Sequence, residues 1–314
     1  MAGYVAKRVA QSLLALLGVS VVVFALIHLV PGDPVRTALG TRFDQELYEV
    51  LRARAGLDQP LVVQYFDWLF RALQGDLGVS FRTGQPVTEA LMQRLPATAL
   101  LAVSAVLVGL VIALPAGIIS AVRQGKVSDY VANAFSQIGV SIPDFWYGIL
   151  LILLFAQTLR WLPPFGYTSL LEDPVDGLQR LIMPALTTGV VTGAILTRFV
   201  RSSVLEAMNS EHVRFARAKG LPQRHVFRHH VLRNAWNPIV TITGLQLGTL
   251  LGGIVVVEVV FAWPGIGRLA LTAVERRDYP VLQGAVLLIA AAFLIINLVV
   301  DLLYAKLDPR IRSS

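Results

Sequence analysis

Carboxylates inside apolar stretches are the residues of this sequence whose type and position could do chemistry. Asp144 follows Pro143 within an otherwise uncharged window, and Glu258 and Asp301 stand near the ends of two other windows. A carboxylate at bilayer depth is energetically expensive, so it commonly marks a path for ions or substrate. We therefore predict that Asp144 and the nearby Ser141 line a translocation pathway. Bonding of Asp144 to neighbouring helices is the alternative, and Glu258 and Asp301 are expected at the membrane interface.

The motifs of enzymes and metal sites are missing from the sequence. Cysteine is absent, which excludes disulfides, thiolate metal sites, thiol nucleophiles and iron–sulfur clusters. No H-E-x-x-H, G-x-S-x-G or G-x-x-x-x-G-K-[ST] stretch occurs, so common hydrolase and ATP-binding motifs are lacking. His28, His229 and His230 have no ligand-spaced partners. We predict no catalytic residue, no metal site and no cofactor bound by this chain.

The elements that must position these residues are long apolar helices. The chain has 314 residues, of which 55% are hydrophobic and 15% charged, and its mean hydropathy is +0.65. Soluble domains carry about 25% charged residues, and about 20 apolar residues form a membrane-spanning helix. The sequence predicts an all-α polytopic membrane protein with six transmembrane helices, at residues 9–30, 98–121, 130–159, 181–200, 238–261 and 279–303.

Positive charge in the connecting segments predicts the orientation of the helices, because lysine and arginine are enriched in short cytoplasmic loops. They cluster here before the first window, in the turn at 123–126, in the segment 201–237 and after the sixth window. We predict cytoplasmic termini and three regions. Residues 1–30 form the N-terminus and first helix, 31–94 an extracytoplasmic segment, and 95–314 the core, with a cytoplasmic loop at 201–237. This topology explains the net charge of +7 without a nucleic-acid partner.

The cytoplasmic loop has the pattern of two short helices. Val204, Met208 and Phe215 fall on one face of a predicted amphipathic helix. Gly220 supplies a left-handed position that ends this helix, and a second helix can begin near Pro222, before Pro238 opens the fifth span. Two interpretations stay open from the pattern alone. The pair is either a basic interfacial element that contacts anionic lipid headgroups or a rigid element that docks into a soluble partner.

The residues of this loop resemble a known family. Residues 214–221 read Arg-Phe-Ala-Arg-Ala-Lys-Gly-Leu, and residues 229–235 read His-His-Val-Leu-Arg-Asn-Ala. This resembles the EAA loop of ABC importer permeases, in particular the dipeptide and oligopeptide branch. Ala216 and Gly220 match the family's pattern of Glu-Ala-Ala, three residues and Gly. Arg214 stands at the position of the Glu, Phe215 at the first Ala, and Arg233 at a later Pro.

Other stretches carry the same resemblance in matching order along nearly the whole chain. They are His-Leu-Val-Pro-Gly-Asp-Pro at 28–34, Gly-Asp-Leu-Gly at 75–78, Thr-Gly-Gln-Pro-Val at 83–87, Arg-Leu-Pro-Ala-Thr at 94–98, Phe-Ala-Trp-Pro-Gly-Ile-Gly at 261–267, Arg-Asp-Tyr-Pro at 277–280 and Leu-Asp-Pro-Arg-Ile-Arg at 307–312. Each stretch is weak alone, but together they are highly specific.

The resemblance implies the first permease subunit of an ATP-driven peptide importer in a bacterial inner membrane. Its partners would be a second six-helix permease, two cytoplasmic ABC ATPases that bind ATP and Mg²⁺, an extracytoplasmic solute-binding protein, the lipid bilayer and a peptide substrate. The implied ATPase-coupling residues are Arg214, Phe215, Ala216, Arg217, Ala218, Lys219, Gly220, Leu221 and Arg224. The alternatives are the same importer fold acting on nickel or glutathione, or a self-contained secondary transporter or channel.

Overall fold

The computed structural model of this chain describes residues 2–29, 35–36, 44–54 and 58–307. Within them the chain is almost entirely helical, and the only β feature is one bridge between Val79 and Pro86. The side chain of His28, and the predicted motif residues 30–34 and 308–312, lie outside the described part of the chain. The prediction of an all-α protein is confirmed.

Fourteen helices are described below by labels in chain order. They are α1 (Ala2–Leu29), α2 (Gln45–Arg54), α3 (Leu61–Leu73), α4 (Val87–Met92), α5 (Leu95–Val122), α6 (Val127–Ser141), α7 (Asp144–Leu151), α8 (Pro174–Asn209), α9 (Glu211–Ala218), α10 (Gln223–His225), α11 (Arg233–Gly253), α12 (Val255–Val260), α13 (Ile266–Arg276) and α14 (Tyr279–Leu307). Two further segments, Ile152–Thr158 and Val226–Leu232, are π-helical.

Four helical stretches of the described chain are long and apolar enough to cross a membrane: Val5–Ala25, Val87–Val122, Pro174–Asn209 and Tyr279–Leu303. A fifth is formed if the bent pair Val127–Ser141 and Asp144–Thr158 is one span. The predicted span at 238–261 is present as α11 and α12, which meet at Ile254 and do not reach the same combination of length and apolarity. The six-span count therefore stays a prediction.

The structure adds detail to two of the predicted spans. Pro238 does not open the fifth helix, because it lies inside α11, which begins at Arg233. The window at 130–159 is not a straight helix, since α6 ends at Ser141 and the two halves are bent by 96°. Pro143 explains the bend: it cannot donate to the helical ladder, and it holds Ile142 in an extended conformation with φ −92° and ψ 129°.

The centre of the fold is the pairing of α5 with α8, the most extensive contact between two described helices. Glycines allow the backbones to approach closely. A Cβ added at Gly189 would lie 2.5 Å from Val108 Cγ1, and one added at Gly117 would lie 2.7 Å from Val200. Around this pair, α6 packs on α8, α11 packs on α14 and α8, and α1 packs on α14. The rigid α5–α8 pair is therefore the frame that holds the loop after α8.

Candidate coupling surface and its buried supports

The loop helix α9 is joined almost directly to α8. Ser210 alone separates Asn209 from Glu211, and its extended backbone (φ −68°, ψ 151°) breaks the helical ladder. The Ser210 hydroxyl donates to the carbonyl of Ala207 at 2.6 Å, which fixes the turn. Any displacement of α9 is therefore passed to α8 through one residue rather than through a flexible linker.

This break corrects the predicted amphipathic face. Val204 is buried as expected, but Phe215 is 62% exposed, so the two residues do not share a face. The kink at Ser210 resets the helical phase, and the residues that α9 buries are Val213 and Ala216. They join Val204 of α8 and Val226 and further residues of the following segment in one core. The helix is thus held by its inner face and presents Phe215 outward.

The predicted end of the loop helix is confirmed. Gly220 has φ +76°, a left-handed conformation that favours glycine, and α9 ends just before it at Ala218. A second helix begins after Pro222, also as predicted. It is irregular, because α10 continues into the π-helical segment Val226–Leu232 and then directly into α11. The loop is thus anchored at both ends by long helices.

The structure divides the predicted coupling residues into three groups. Arg214, Phe215, Ala218 and Lys219 are exposed on the outer side of α9, and Lys219 Nζ lies 4.6 Å from the centre of the Phe215 ring. Ala216 is buried and Leu221 packs partly against the same core. Arg217 and Arg224 are also exposed, and both line an open cleft of about 410 Å³ next to α9. Gly220 belongs to none of these groups and provides the turn, so the predicted set serves four structural purposes.

The first buried support of this surface is an ion pair that the sequence analysis missed. Arg201 of α8 donates Nε to Asp129 Oδ1 at 2.7 Å and a terminal nitrogen to Oδ2 at 3.0 Å. The same carboxylate accepts from the Ser120 hydroxyl, the Gly125 amide and the Asn133 side chain. Helices α5, α6 and α8 are thereby tied together where α8 approaches the coupling loop. Arg201 had been counted only as a loop charge, and Asp129 stood just outside a predicted span.

A second buried carboxylate lies at the opposite end of α5. Glu258 is 1% exposed, so its carboxylate is buried within the protein, and its position at the membrane interface stays a prediction. Its Oε1 accepts from the Thr98 hydroxyl at 2.8 Å, and its Oε2 accepts from the Arg268 amide at 2.8 Å. Thr98 in turn accepts from the Ile266 amide at 2.9 Å. Glu258 therefore satisfies the N-terminal amides of α13.

The Phe-Ala-Trp-Pro-Gly-Ile-Gly stretch wraps around this carboxylate. A Cβ at Gly265 would lie 1.8 Å from Glu258 Oε1, so only glycine fits at this close approach. Trp263 is fully buried, donates its indole N–H to the Ala97 carbonyl at 2.9 Å, and packs edge-on against Tyr167 with centroids 4.8 Å apart. The structure thus explains these motif residues by their packing around a buried carboxylate, which the sequence alone did not reveal.

A third buried carboxylate joins two of the other motif stretches. Asp278 accepts from the Ser80 hydroxyl and, at 3.1 Å, from the Phe81 amide. Burial raises the pKa of Asp278, and hydrogen bonds and the nearby Arg82 guanidinium oppose that rise in part. Arg82 Nε also donates to the Arg276 carbonyl at 3.1 Å. The turn around residues 75–86 is therefore fastened to the corner between α13 and α14.

The proposed pathway residues lie apart from the coupling surface, at the bend between α6 and α7. Ser141 is exposed and donates its hydroxyl to the Gln137 carbonyl at 2.7 Å. Asp144 begins α7, and its Oδ1 accepts from the Phe145 amide at 2.8 Å. Asp144 is partly buried and lies at a helix start rather than in the middle of a continuous span. Among the described residues, no cluster of acidic or histidine side chains has the arrangement of a metal site.

Comparison with known proteins decides the family. Residues 113–313 match the family described as the binding-protein-dependent transport system inner membrane component, and residues 1–102 match the N-terminal family of such membrane components. The chain belongs to this permease family. It is a permease subunit of the peptide branch of ABC importers, as the resemblance of its motifs predicted.

Similar permeases align over the full length of this permease. The Glutathione transport system permease protein GsiC of Escherichia coli O6:H1 (strain CFT073) is 42% identical over 99% of both chains. The Di/tripeptide transport system permease protein DppB of Pseudomonas aeruginosa (strain UCBPP-PA14) is 39% identical over 100% of both chains. The permease is therefore similar throughout to proteins that are named for two different substrates.

Solved structures confirm the fold independently. A chain of the MetNI methionine ABC transporter superposes with a TM-score of 0.53 at 19% identity, covering 69% of this permease and 96% of that chain. A chain of an amino acid ABC transporter gives a TM-score of 0.50 at 17% identity, covering 71% and 94%. The helical core thus has an ABC transporter permease fold.

Proposed function

We propose that this permease forms the translocation pathway of an ATP-driven peptide importer together with a second permease subunit. Two cytoplasmic ABC ATPases would bind ATP and Mg²⁺ and drive it, and an extracytoplasmic binding protein would deliver the peptide. This chain itself would bind no cofactor. The names of the similar permeases, which specify glutathione and di- or tripeptides, support a short peptide as substrate.

The observation that carries this proposal is the outward face of α9. A large exposed aromatic residue, Phe215, stands on a short helix between two cations, Arg214 and Lys219. Buried aromatic and arginine side chains dominate the energetics of protein interfaces. Such a side chain on a helix anchored by Val213 and Ala216 is suited to fill an apolar pocket of a soluble partner.

The same helix can transmit movement because its supports are stiff. Helix α8 is continuous from Pro174 to Asn209, and α9 follows after one residue. The Asp129–Arg201 pair joins α8 to α5 and α6, so these helices would move together when α9 is displaced. Two discrete packings of a rigid group are what a switch between inward-open and outward-open states requires.

The proposal includes the topology and the pathway. Six spans would cross a bacterial inner membrane with both termini in the cytoplasm. Residues 31–94 would face outward, 95–314 would form the core, and 201–237 would be the cytoplasmic coupling loop. Ser141 and Asp144 would line the pathway. Their position at a break between two apolar helices supports this, since broken helices expose backbone polar groups to a cavity.

The test is the association of the permease with its ATPases after Phe215→Ala substitution. We expect at least about a tenfold loss of co-purifying ATPase, since truncating an interface anchor costs about 2 kcal/mol or more and about 1.4 kcal/mol is tenfold, and a parallel loss of peptide uptake in reconstituted vesicles. Phe70→Ala is the matched control, because Phe70 is 66% exposed on α3, far along the chain from the loop. Unchanged association and uptake in Phe215→Ala would refute docking through α9. Uptake without ATP, driven by an ion gradient, would indicate a secondary transporter instead.

A further inference from the structure

A cleft next to α9 is lined by basic and apolar side chains that do not belong to the docking surface around Phe215. Arg217, Arg224 and Arg228 line it together with the apolar side chains of Val122, Met208 and Phe227, and its volume is about 410 Å³. None of the three arginines forms an ion pair or a side-chain hydrogen bond with another described residue. Three cations around one cleft repel each other, so an anion in the cleft would relieve an unfavourable charge distribution.

The position of the cleft indicates the depth of its occupant. Val122 is the last residue of the candidate span Val87–Val122, and Met208 is next to the end of the candidate span Pro174–Asn209. On the predicted topology the cleft therefore lies at the cytoplasmic border of the membrane, with Val122 next to the predicted end of the second span at residue 121 and Met208 in the predicted cytoplasmic segment. An occupant at this level would meet arginines on the side of the headgroups and apolar side chains on the side of the acyl chains.

The cleft and the outer face of α9 are separate surfaces. Phe215 and Arg214 point away from the core that buries Val213 and Ala216, whereas Arg217 flanks the buried face and opens into the cleft. A soluble partner seated on Phe215 would therefore not have to cover the cleft. The two interpretations of the loop that the sequence left open thus apply to different sides of one helix.

We propose that this cleft binds the phosphate headgroup of an anionic phospholipid from the cytoplasmic leaflet, with its arginines on the phosphate and its apolar side chains against the acyl chains. Guanidinium groups suit phosphate because they donate several hydrogen bonds in a fixed fork. Basic surfaces beside spans attract anionic lipids electrostatically. The assignment to the cytoplasmic leaflet rests on the proposed function and its topology.

The test measures phosphatidylglycerol binding to the purified permease–ATPase complex in neutral detergent by native mass spectrometry. Arg228→Gln should weaken binding by about tenfold, as the loss of one charge-assisted hydrogen bond implies, and Arg228→Glu should weaken it further. Arg233→Gln is the control, since Arg233 belongs to the same loop, carries the same charge and lines a different cleft. We expect it to bind phosphatidylglycerol within about twofold of the unaltered permease.

The other outcomes would overturn the proposal in distinct ways. An equal loss in Arg233→Gln would show only diffuse attraction to a basic loop. Complete displacement of phosphatidylglycerol by millimolar inorganic phosphate would identify a site for a free anion. Loss of the ATPases from Arg228→Gln with unchanged lipid binding would assign the cleft to the ATPase interface. Conversely, Phe215→Ala should release the ATPases while retaining the lipid, so failure of docking and failure of lipid binding are distinguishable.

Discussion

At one end of α5 a buried carboxylate is paired with an arginine, whereas at the other end an equally buried carboxylate meets only hydroxyl and amide donors. Ser120 and Thr98, on the last and first turns of α5, bring the helix to Asp129 and Glu258 respectively. Asp129 has donors on both oxygens, and two of them come from Arg201. Glu258 receives one hydroxyl and one backbone amide.

The two ends of α5 should therefore differ in which substitutions of their carboxylates they tolerate. The Arg201 guanidinium and the Gly125 amide can only donate to Asp129, whereas the Ser120 hydroxyl and the Asn133 side-chain amide can each also accept. At Glu258 the Thr98 hydroxyl can reverse its role and accept instead of donate. The coupling-loop end is therefore specified by charge, while the opposite end is specified by shape and by the close approach of Gly265.

Asp129→Asn should cause the largest loss of folding stability. The amide nitrogen of asparagine would face the guanidinium or the Gly125 amide, and Arg201 would lose its counter-charge. Breaking a buried ion pair costs about 3–5 kcal/mol, and we expect the low end because the Arg201 side chain is 24% exposed. Thermal unfolding of the detergent-solubilised permease is the measurement. An unfolding midpoint equal to that of the unaltered permease would contradict the conclusion that this end of α5 requires a negative charge at residue 129.

The next largest loss of folding stability is expected from removing one of the two hydroxyl groups of α5 that contact these carboxylates. Thr98→Val removes the donor to Glu258 and the acceptor of the Ile266 amide, so two buried groups lose a partner, each at about 1–3 kcal/mol. Ser120→Ala should cost only about 1 kcal/mol, since Asp129 keeps Arg201, Asn133 and Gly125 as donors. Both variants are compared by the same unfolding measurement. Equal losses would show that the hydroxyl at Glu258 has no bridging role.

A smaller effect is expected for Glu258→Gln. The side-chain oxygen of glutamine can still accept from the Arg268 amide and its nitrogen can donate to Thr98, so the Thr98 hydroxyl proton is the group that loses its acceptor. The loss should be about 1 kcal/mol, well below that of Asp129→Asn. The comparison of the two amide variants in one unfolding series is the measurement. A Glu258→Gln loss as large as that of Asp129→Asn would mean that the negative charge itself is needed at both ends.

The sequence predicted the helical class, the loop turn at Gly220 and the helix start after Pro222, because these depend on local patterns of hydropathy and backbone conformation. It placed Phe215 on the wrong face, since one break at Ser210 shifts every later residue around the helix. The Asp129–Arg201 pair escaped prediction for a different reason. Its partners are 72 residues apart, and a single sequence gives no sign that two such charges will meet.

The smallest predicted effect concerns Asp278, which is buried like Glu258 and also lacks an ion-paired partner among the described residues. Its pKa is raised above the ordinary aspartate value of 3.8, so the folded permease holds this proton to higher pH than the unfolded chain does. The stability gained from this site is full below that ordinary value and falls as the pH rises through the raised pKa.

Protection of the amides around Ser80 against hydrogen exchange, corrected for the intrinsic exchange rate at each pH, should therefore decrease as the pH rises through this window. Asp278→Asn should flatten this dependence, because asparagine does not titrate and its side-chain oxygen can still accept from the Phe81 amide. Glu258→Gln serves as the control, since its site lies at the other motif and should leave the pH dependence near Ser80 unchanged. A dependence that persists in Asp278→Asn would assign the titration to another group and leave the burial of Asp278 without a measurable consequence.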